Sequence, residues 1–573
     1  MANLSKLHRE KMLSFLQTLK EEHSDDASII ALNAIETALT DKKYGLVWEE
    51  HSERVDNDLL SMIPVFSEVK QKQLTAGDGY YNFVLEGDNL HSLYLLEKTH
   101  RGNIDVIYID PPYNTGNEDF SYDDNYVELE DSFRHSKWLS FMERRLRIAW
   151  QLLKDEGIIF ISIDESEAAP LLLLCNDIFG EDNYQSTIHV QVRYAQKSLT
   201  EEKPFKPVIE YVYVFSKDFR KFAPNRPQEN YSTDKFTFVI EELSKGERIN
   251  PNGYDVTVFK KGEWKLLKMP EGQIDGLKET WISGTIYTKM SYGKVFRDIV
   301  EPRVAMDGLG CLYKVHGRGD DGLGYRYYTG PARKNAKRGK MYSGVPVNRV
   351  TEIENMGEST RYLPINTFFD FAADFGNIAH EGGVTFNSGK KPTKMLQWLI
   401  NLCPNKSAIV LDFFAGSGST GHAVVQLNDI DGGDRRYILC NSNESKICEL
   451  KTYPRLCNIQ AQTPHNLKYY KTDYIPRFIE EGVSDALLPH IHELVELENA
   501  IDLSNPSFAL IQTEEELDEF FNHENQNTSK VIYLSSDVLT TKGQQEALKN
   551  LSIEIKTIPQ YYFAEELKQA GEL

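Results

Sequence analysis

Apolar positions recur at helical spacing through the opening segment, in LHREKMLSFLQTL and again in ASIIALNAIETAL, with Ser24, Asp25 and Asp26 as a cap between them. This rhythm predicts a helical N-terminal region over residues 1–75. After Gly77-Asp78-Gly79 the pattern changes to short apolar runs alternating with helical stretches: YNFVLEG, NLHSLYLLEKTH, IDVIYID, SFRHSKWLSFMERRLRIAWQLLKD and GIIFISID. Such strand–helix–strand alternation predicts a doubly wound parallel sheet with helices on its faces. It fades after about residue 220, where Gly, Pro, Lys and Tyr become frequent and short strand-like pieces such as YDVTVFK and GEWKLLKM occur. It returns with KMLQWLINLC, SAIVLDFFAG, STGHAVVQLN and RRYILCNSNE. The expected organisation is therefore an α/β core in two parts, 76–220 and 365–469, interrupted by an inserted domain at 221–364. Residues 470–573 alternate again and form a small appended α/β unit.

Composition narrows the classes. The chain has 573 residues, 40% of them hydrophobic, which is ordinary for a globular protein with a sizeable core. It has no run of eighteen apolar residues and opens on the polar MANLSKLHRE, so neither membrane insertion nor secretion is expected, and a cytoplasmic location is. Six scattered cysteines without a Cys-x-x-Cys pair read as reduced thiols, and no metal site is expected. The net charge of −22 argues against a polyanionic partner until its distribution is considered. From Tyr470 onward 20 acidic residues face 7 basic ones, whereas TGPARKNAKRGKMYSGVPVNRV at 329–350 carries six basic residues and no acid. A polyanion can be gripped locally there, through Arg333, Lys334, Lys337, Arg338 and Lys340; the plainer alternative is a solvated basic loop.

The apolar strand IDVIYID ends in Asp110-Pro111-Pro112-Tyr113. Ligands of open α/β sheets sit beyond the carboxyl ends of strands, where this tetrapeptide falls. Two prolines fix φ and remove two N–H groups, which leaves a stiff turn that presents acceptors only. Asp110, preceding a proline, stays extended. A base amino group has two N–H donors and a lone pair delocalised into its ring. A carboxylate on one N–H and a peptide carbonyl on the other would draw that nitrogen toward tetrahedral geometry and free the lone pair to attack a methyl sulfonium. Tyr113 offers a flat face to an extruded base, worth about 1–3 kcal/mol. Taken alone, the same residues could end an ordinary strand.

A second motif lies about three hundred residues on. AIVLDFFAGSGSTGHAV reads as strand, glycine loop and helix, with Gly416 and Gly418 letting a ligand approach the backbone closely. Its Gly-x-Gly-x-x-Gly spacing is a weak signal that nicotinamide enzymes share. Asp412 suits the ammonium of a methionine moiety, and Phe414 its apolar surroundings. Glu444, after the next strand, suits ribose hydroxyls, and Asp88, in LEGDNL, an adenine amino group.

Together these residues resemble the DNA amino-methyltransferases of the permuted β class, and within them the modification subunits of Type III restriction–modification systems. The matching segments are GDNL, DPPYNTGN, HSKWLSFMERRL, GIIFISIDESE, FNSGKKPTKMLQWLI and LDFFAGSGSTGHAV, spanning about 80–220 and 365–460. The resemblance implies a Rossmann-like methyltransferase sheet, with the base held by Asp110, Pro111, Pro112 and Tyr113. It implies S-adenosyl-L-methionine bound by Asp412, Phe414, Gly416 and Gly418, with Glu444 on the ribose, Asp88 near the adenine, and Ser388, Lys391 and Pro392 closing over the methionine end. The inserted block takes the place of the target-recognition domain, so its basic stretch becomes a contact to double-stranded DNA. An Asp at the head of the tetrapeptide usually accompanies N6-adenine methylation, and a Ser N4-cytosine methylation. Cytosine-C5 chemistry is disfavoured because no Pro-Cys occurs. No Gly-x4-Gly-Lys-Ser/Thr loop is present, so a helicase–nuclease restriction activity would reside in a separate subunit. The family commonly acts as a homodimer, and the acidic C-terminal unit is a candidate dock for either partner; the equal alternative is that it only aids solubility. The competing readings are a stand-alone N4-cytosine or N6-adenine enzyme, an RNA guanine or protein glutamine methyltransferase, a non-catalytic specificity subunit, and a nicotinamide dehydrogenase.

Overall fold

The computed structural model describes residues 4–23, 25–40, 48, 51, 53–116, 121–122, 125–126, 128, 131–196, 205–283, 292–334, 336, 338–385, 390–443, 446–478, 482–522, 528–558 and 562–572. The chain forms two compact units, one made of residues 1–225 and 366–573, the other of residues 226–365.

The larger unit opens with helices α1 (Leu4–Glu22), α2 (Asp26–Thr40) and α3 (Arg54–Ser61). The helical rhythm stops earlier than the sequence predicts, because Met62–Glu68 is a strand, β1. Its residues pair antiparallel with a late strand, Met62 opposite Pro476 through Glu68 opposite Tyr470. Pro64 lacks an amide donor, and β1 accommodates it by lying at the sheet edge.

The core elements follow in chain order: β2 (Tyr81–Glu86), α4 (Asn89–His100), β3 (Ile104–Ile109), α5 (Arg134–Leu152), β4 (Leu153–Ile163), α6 (Ala168–Phe179), β5 (Tyr184–Gln191) and β6 (Ile209–Ser216). After the inserted unit come β7 (Phe368–Asp370), α7 (Thr393–Ile400), β8 (Ile409–Asp412), α8 (Ser419–Asp431), β9 (Arg436–Asn441), α9 (Tyr453–Ile459) and β10 (Asn466–Pro476). They build one ten-stranded sheet in the order β1-β10-β2-β9-β8-β3-β4-β6-β5-β7. The run from β10 to β4 is parallel throughout. Its strands are covered on both faces, which is why they read as largely apolar runs: every residue of β2, β3 and β8 is buried, the polar Asn82, Glu86 and Asp105 included. β10 begins at Asn466, so the boundary expected at 469/470 falls inside a core strand. The chain then adds a separate three-stranded parallel sheet, β11 (Phe508–Ile511), β12 (Val531–Ser535) and β13 (Glu554–Ile558).

The smaller unit carries a six-stranded antiparallel sheet, ordered Glu247–Ile249, Val256–Phe259, Leu312–His316, Tyr325–Thr329, Arg338–Ser343, Lys278–Ser283. It has a core of its own around Val256, Val258, Ile299, Tyr313, Val315 and Tyr328. Residues 226–365 hold 23 Lys/Arg against 18 Asp/Glu, a net charge of +5 in a chain whose total is −22.

Candidate active site

The two motifs meet because their strands are neighbours. β8 lies parallel to β3, with Val410 opposite Val106 and Leu411 opposite Ile107. Asp412, which closes β8, and Asp110, one residue past β3, therefore emerge at the same sheet edge. The charge of Asp110 is felt at Asp412 and helps raise its pKa.

Helix α5 and the start of α6 hold the Asp-Pro-Pro-Tyr turn in place. The indole Nε1 of buried Trp138 donates to the Pro112 carbonyl at 2.7 Å. Asn114 takes a left-handed φ of 58°, which asparagine tolerates, and its buried amide donates to Glu167 Oε1 at 2.6 Å. Glu167, fully buried just before α6, also meets His135 Nδ1 at 2.7 Å. These contacts give HSKWLSFMERRL and SIDESE a physical task beside the turn.

Four side chains converge at its mouth. Tyr113 Oη donates to Asp110 Oδ1 at 2.8 Å and lies 3.1 Å from Glu210 Oε2 on β6. Lys391, from the segment before α7, puts its ammonium 2.7 Å from Tyr113 Oη, 3.0 Å from Glu210 Oε2 and 3.0 Å from Asp110 Oδ1. Burial raises the pKa of Asp110; the Lys391 ammonium offsets part of that rise and the Glu210 charge adds to it. For Lys391 burial opposes the charge, but Asp110 and Glu210 outweigh it and hold the amine above the ordinary lysine range. The resemblance has Lys391 closing over the methionine end of the cofactor; here its ammonium lies on Asp110 and Tyr113 of the base-holding motif. Glu210 was not foreseen.

The glycine loop is braced from beneath. Asp412 accepts from Phe414 N at 3.0 Å and from Thr420 Oγ1 at 2.5 Å, and burial lifts its carboxyl to about 7. Gly416 and Gly418 have φ of 49° and 77°. A Cβ on Gly416 would meet nothing nearer than the Phe414 carbonyl at 3.8 Å, so this side of the loop is open to a ligand. The Gly416 carbonyl is held by Thr452 Oγ1 at 2.6 Å and Asn441 Nδ2 at 3.0 Å. Fully buried Arg455 donates to Ser417 Oγ at 3.1 Å and Ser419 Oγ at 2.7 Å, and pairs with Glu381 at 2.9 Å. Phe414 contacts the Phe141 ring at 5.9 Å between centroids.

Asp88 caps α4, accepting from Leu90 N at 2.7 Å, with Arg145 at 3.4 Å. Its neighbour Asn89 donates to the Phe413 carbonyl at 2.8 Å and accepts from Arg145 Nε at 2.6 Å, tying the GDNL turn to the glycine loop. Asn89, Thr420, Thr452 and Arg455 also escaped sequence reasoning, since polar residues in the first turn of a helix or in a short mixed-polarity helix carry no periodic signal. Ser388, Glu444 and Lys337 lie outside the described residues. In the smaller unit Arg333, Lys334 and Arg338 are exposed, while Lys340 is paired with Glu279 at 2.8 Å and lies 4.7 Å over the ring of exposed Trp281. No group of His, Cys, Asp or Glu among the described residues could hold a metal ion, and no described helix is long and apolar enough to cross a membrane.

A mixed sheet whose central strands run parallel, with a glycine loop and an acceptor-only turn at one edge, places the larger unit among the doubly wound α/β folds. The family model described as DNA methylase matches residues 104–451, and the chain belongs to that family. It is 30% identical to the probable type III restriction-modification enzyme HindVI Mod subunit of Haemophilus influenzae, over 62% of this chain and 49% of that one. It is also 30% identical to the StyLTI Mod subunit of Salmonella typhimurium, over 67% of this chain and 56% of that one. The Type II methyltransferase M.KpnI of Klebsiella pneumoniae is 30% identical over 65% of this chain and 83% of its own length. The chain thus spans about half the length of the first two relatives. Among solved structures, the M1.HpyAVI–SAM complex aligns at TM-score 0.26 and 12% identity, over 64% of this chain and 96% of that one.

Proposed function

We propose that this protein transfers a methyl group from S-adenosyl-L-methionine to the exocyclic N6 of adenine in double-stranded DNA, acting on a base flipped out of the helix. The observation that carries the reading is the emergence of Asp110-Pro111-Pro112-Tyr113 and the glycine loop from adjacent parallel strands at one sheet edge. When bound, S-adenosyl-L-methionine supplies a sulfonium-activated methyl group. The residues present suit it: Asp412 for its ammonium, the open side of Gly416 for close approach, Phe414 for apolar contact and Asp88 for the adenine, with Glu444 and Ser388 as further contacts.

At the base, Asp110 accepts one amino N–H. The Pro112 carbonyl already accepts from Trp138, and the carbonyl of Pro111 takes the second N–H in this scheme. Tyr113 stacks on the extruded ring, offsetting the few kcal/mol that flipping costs. Arg333, Lys334, Lys337, Arg338 and Lys340 contact DNA phosphates from the target-recognition domain. Similarity to Mod subunits supports a place in a Type III restriction–modification system. A separate helicase–nuclease subunit, a homodimeric assembly and a cytoplasmic location are part of the same proposal.

Transfer of tritiated methyl groups to unmethylated duplex DNA tests the reading, with structured RNA as control. Asp110→Ala is expected to lower the rate by at least about a hundredfold while leaving cofactor affinity within a few-fold. Wild-type rates from that variant would remove Asp110 from the chemistry. Single-molecule sequencing of DNA from expressing cells then identifies the modified base and its surrounding sequence.

A further inference from the structure

Nitrogen methylation has a proton to dispose of. The target nitrogen gains a bond to carbon and gives up one N–H proton, while the electron pair of the broken methyl bond stays with sulfur. Asp110 is the first acceptor within reach under the function proposed above, and it is partly buried. Resting on that function, we propose that Glu210 is the second carboxylate of the reaction: the proton taken up by Asp110 passes through the Tyr113 hydroxyl to Glu210.

The argument is one of hydrogen-bond capacity. A phenol oxygen donates one bond and accepts two. Tyr113 Oη has three polar neighbours at 2.7–3.1 Å: Lys391 Nζ, Asp110 Oδ1 and Glu210 Oε2. Lys391 can only donate. One hydroxyl proton cannot serve two ionised carboxylates at once, so the contacts to Asp110 and Glu210 are alternatives. With Asp110 ionised, the hydroxyl points to it across the shorter contact, 2.8 Å. With Asp110 protonated, Asp110 donates to the phenol oxygen and the hydroxyl turns to Glu210, 3.1 Å away. Each state gives Tyr113 a satisfied donor. From the second, Tyr113 passes its hydroxyl proton to Glu210 as it takes the Asp110 proton, which leaves Asp110 ionised, Tyr113 protonated and Glu210 protonated, one proton having moved from Asp110 to Glu210.

Lys391 makes the pair of acids tolerable. Two carboxylates in one partly buried site repel, and an ammonium 3.0 Å from each offsets that repulsion. Glu210 is in turn faced by Asp110, Tyr113 and Tyr108 from β3 and its turn, by Asp164 past the end of β4, and by Lys391 from before α7. Glu210 touches neither the base nor the reacting carbon in this scheme; it acts through Tyr113 and Lys391.

The test is single-turnover methylation of long unmethylated plasmid DNA with tritiated S-adenosyl-L-methionine, from pH 6 to 9. Wild type, Glu210→Gln, Tyr113→Phe and the double variant are compared. Each single change is expected to slow transfer about tenfold at pH 7, and the double variant to be no slower than either within about threefold. The acid limb of the Glu210→Gln profile should lie at lower pH, since the charge that helps raise Asp110 is gone. Tyr113→Phe keeps the stacking ring, so it carries the test if Glu210→Gln fails to fold. A wild-type rate and profile in either single variant overturns the proposal, as does a double variant that loses the product of the two effects. Absence of transfer by the wild-type protein would be seen before any variant is made, and it would sink the methyltransferase function itself.

Discussion

Asp412 joins two tasks at one carboxylate. It pins the glycine loop through Phe414 N and Thr420 Oγ1, and burial holds its carboxyl at about 7. A folded pKa raised above the ordinary aspartate value means that the folded protein binds the extra proton. The stability this group contributes is fully present below about 3.8 and is lost as pH rises through about 7. A cationic ligand inverts the preference, because an ammonium beside the carboxylate favours its ionised form. Binding of S-adenosyl-L-methionine at pH 6 should therefore expel close to one proton, and at pH 8 almost none. Titration calorimetry in buffers of different ionisation enthalpy measures this directly, and Asp412→Asn should abolish the buffer dependence. If wild-type heats at pH 6 are independent of buffer, the ammonium is not at Asp412.

Glycines of the same loop do different work at the level of the element. Gly416 has a positive φ and open space where a Cβ would go, whereas Gly421, inside α8, would drive a Cβ to 3.0 Å from Leu439 and 3.2 Å from Leu456. Gly421→Ala should then act on helix–sheet packing, costing about 1–3 kcal/mol with cofactor affinity largely kept. Gly416→Ala should cost about 1–2 kcal/mol of backbone strain and in addition weaken cofactor binding at least about tenfold. Thermal melts with and without S-adenosyl-L-methionine separate the two, since only Gly421→Ala retains the ligand-induced rise in Tm. The strands and loops that carry these glycines and the Asp-Pro-Pro-Tyr turn were legible in sequence because both faces of the parallel sheet are covered, which writes each strand as an apolar run ended by its motif. β1 was not legible: its apolar run MIPVF is broken by Pro64, which reads as a strand breaker, and it follows directly on a helical stretch. Glu210 was hidden for a related reason. In IEYVYVFS an acid near a strand end is indistinguishable from a surface residue until β6 is set antiparallel to β4, two strands from Asp110. Lys391 stood out as a cation near the site, but the carboxylates it meets come from residues 110 and 210, a pairing that only the fold brings about.

Charge is divided across the whole molecule in a way its total conceals. With +5 on residues 226–365 and −22 overall, the rest of the chain carries −27, and a polyanion would be repelled almost everywhere except at the inserted unit. Within that unit the cations differ in availability. Arg333, Lys334 and Arg338 are exposed, whereas Lys340 already answers Glu279 at 2.8 Å. A phosphate contact by Lys340 must compete with that ion pair, so its removal should matter less. Replacing Arg333, Lys334 and Arg338 together by Gln should reduce the slope of log affinity against log salt by about one unit for each phosphate left without its cation, up to about 2.7 for all three. The weakening should be uniform across DNA sequences, because phosphate contacts carry no base information. The methylation rate at saturating DNA should stay near wild type, since these residues lie outside the unit that holds Asp110 and Asp412. Equilibrium binding by fluorescence anisotropy at several salt concentrations gives the slope. An unchanged slope would show that DNA is held by other residues and that this basic stretch is a solvated surface.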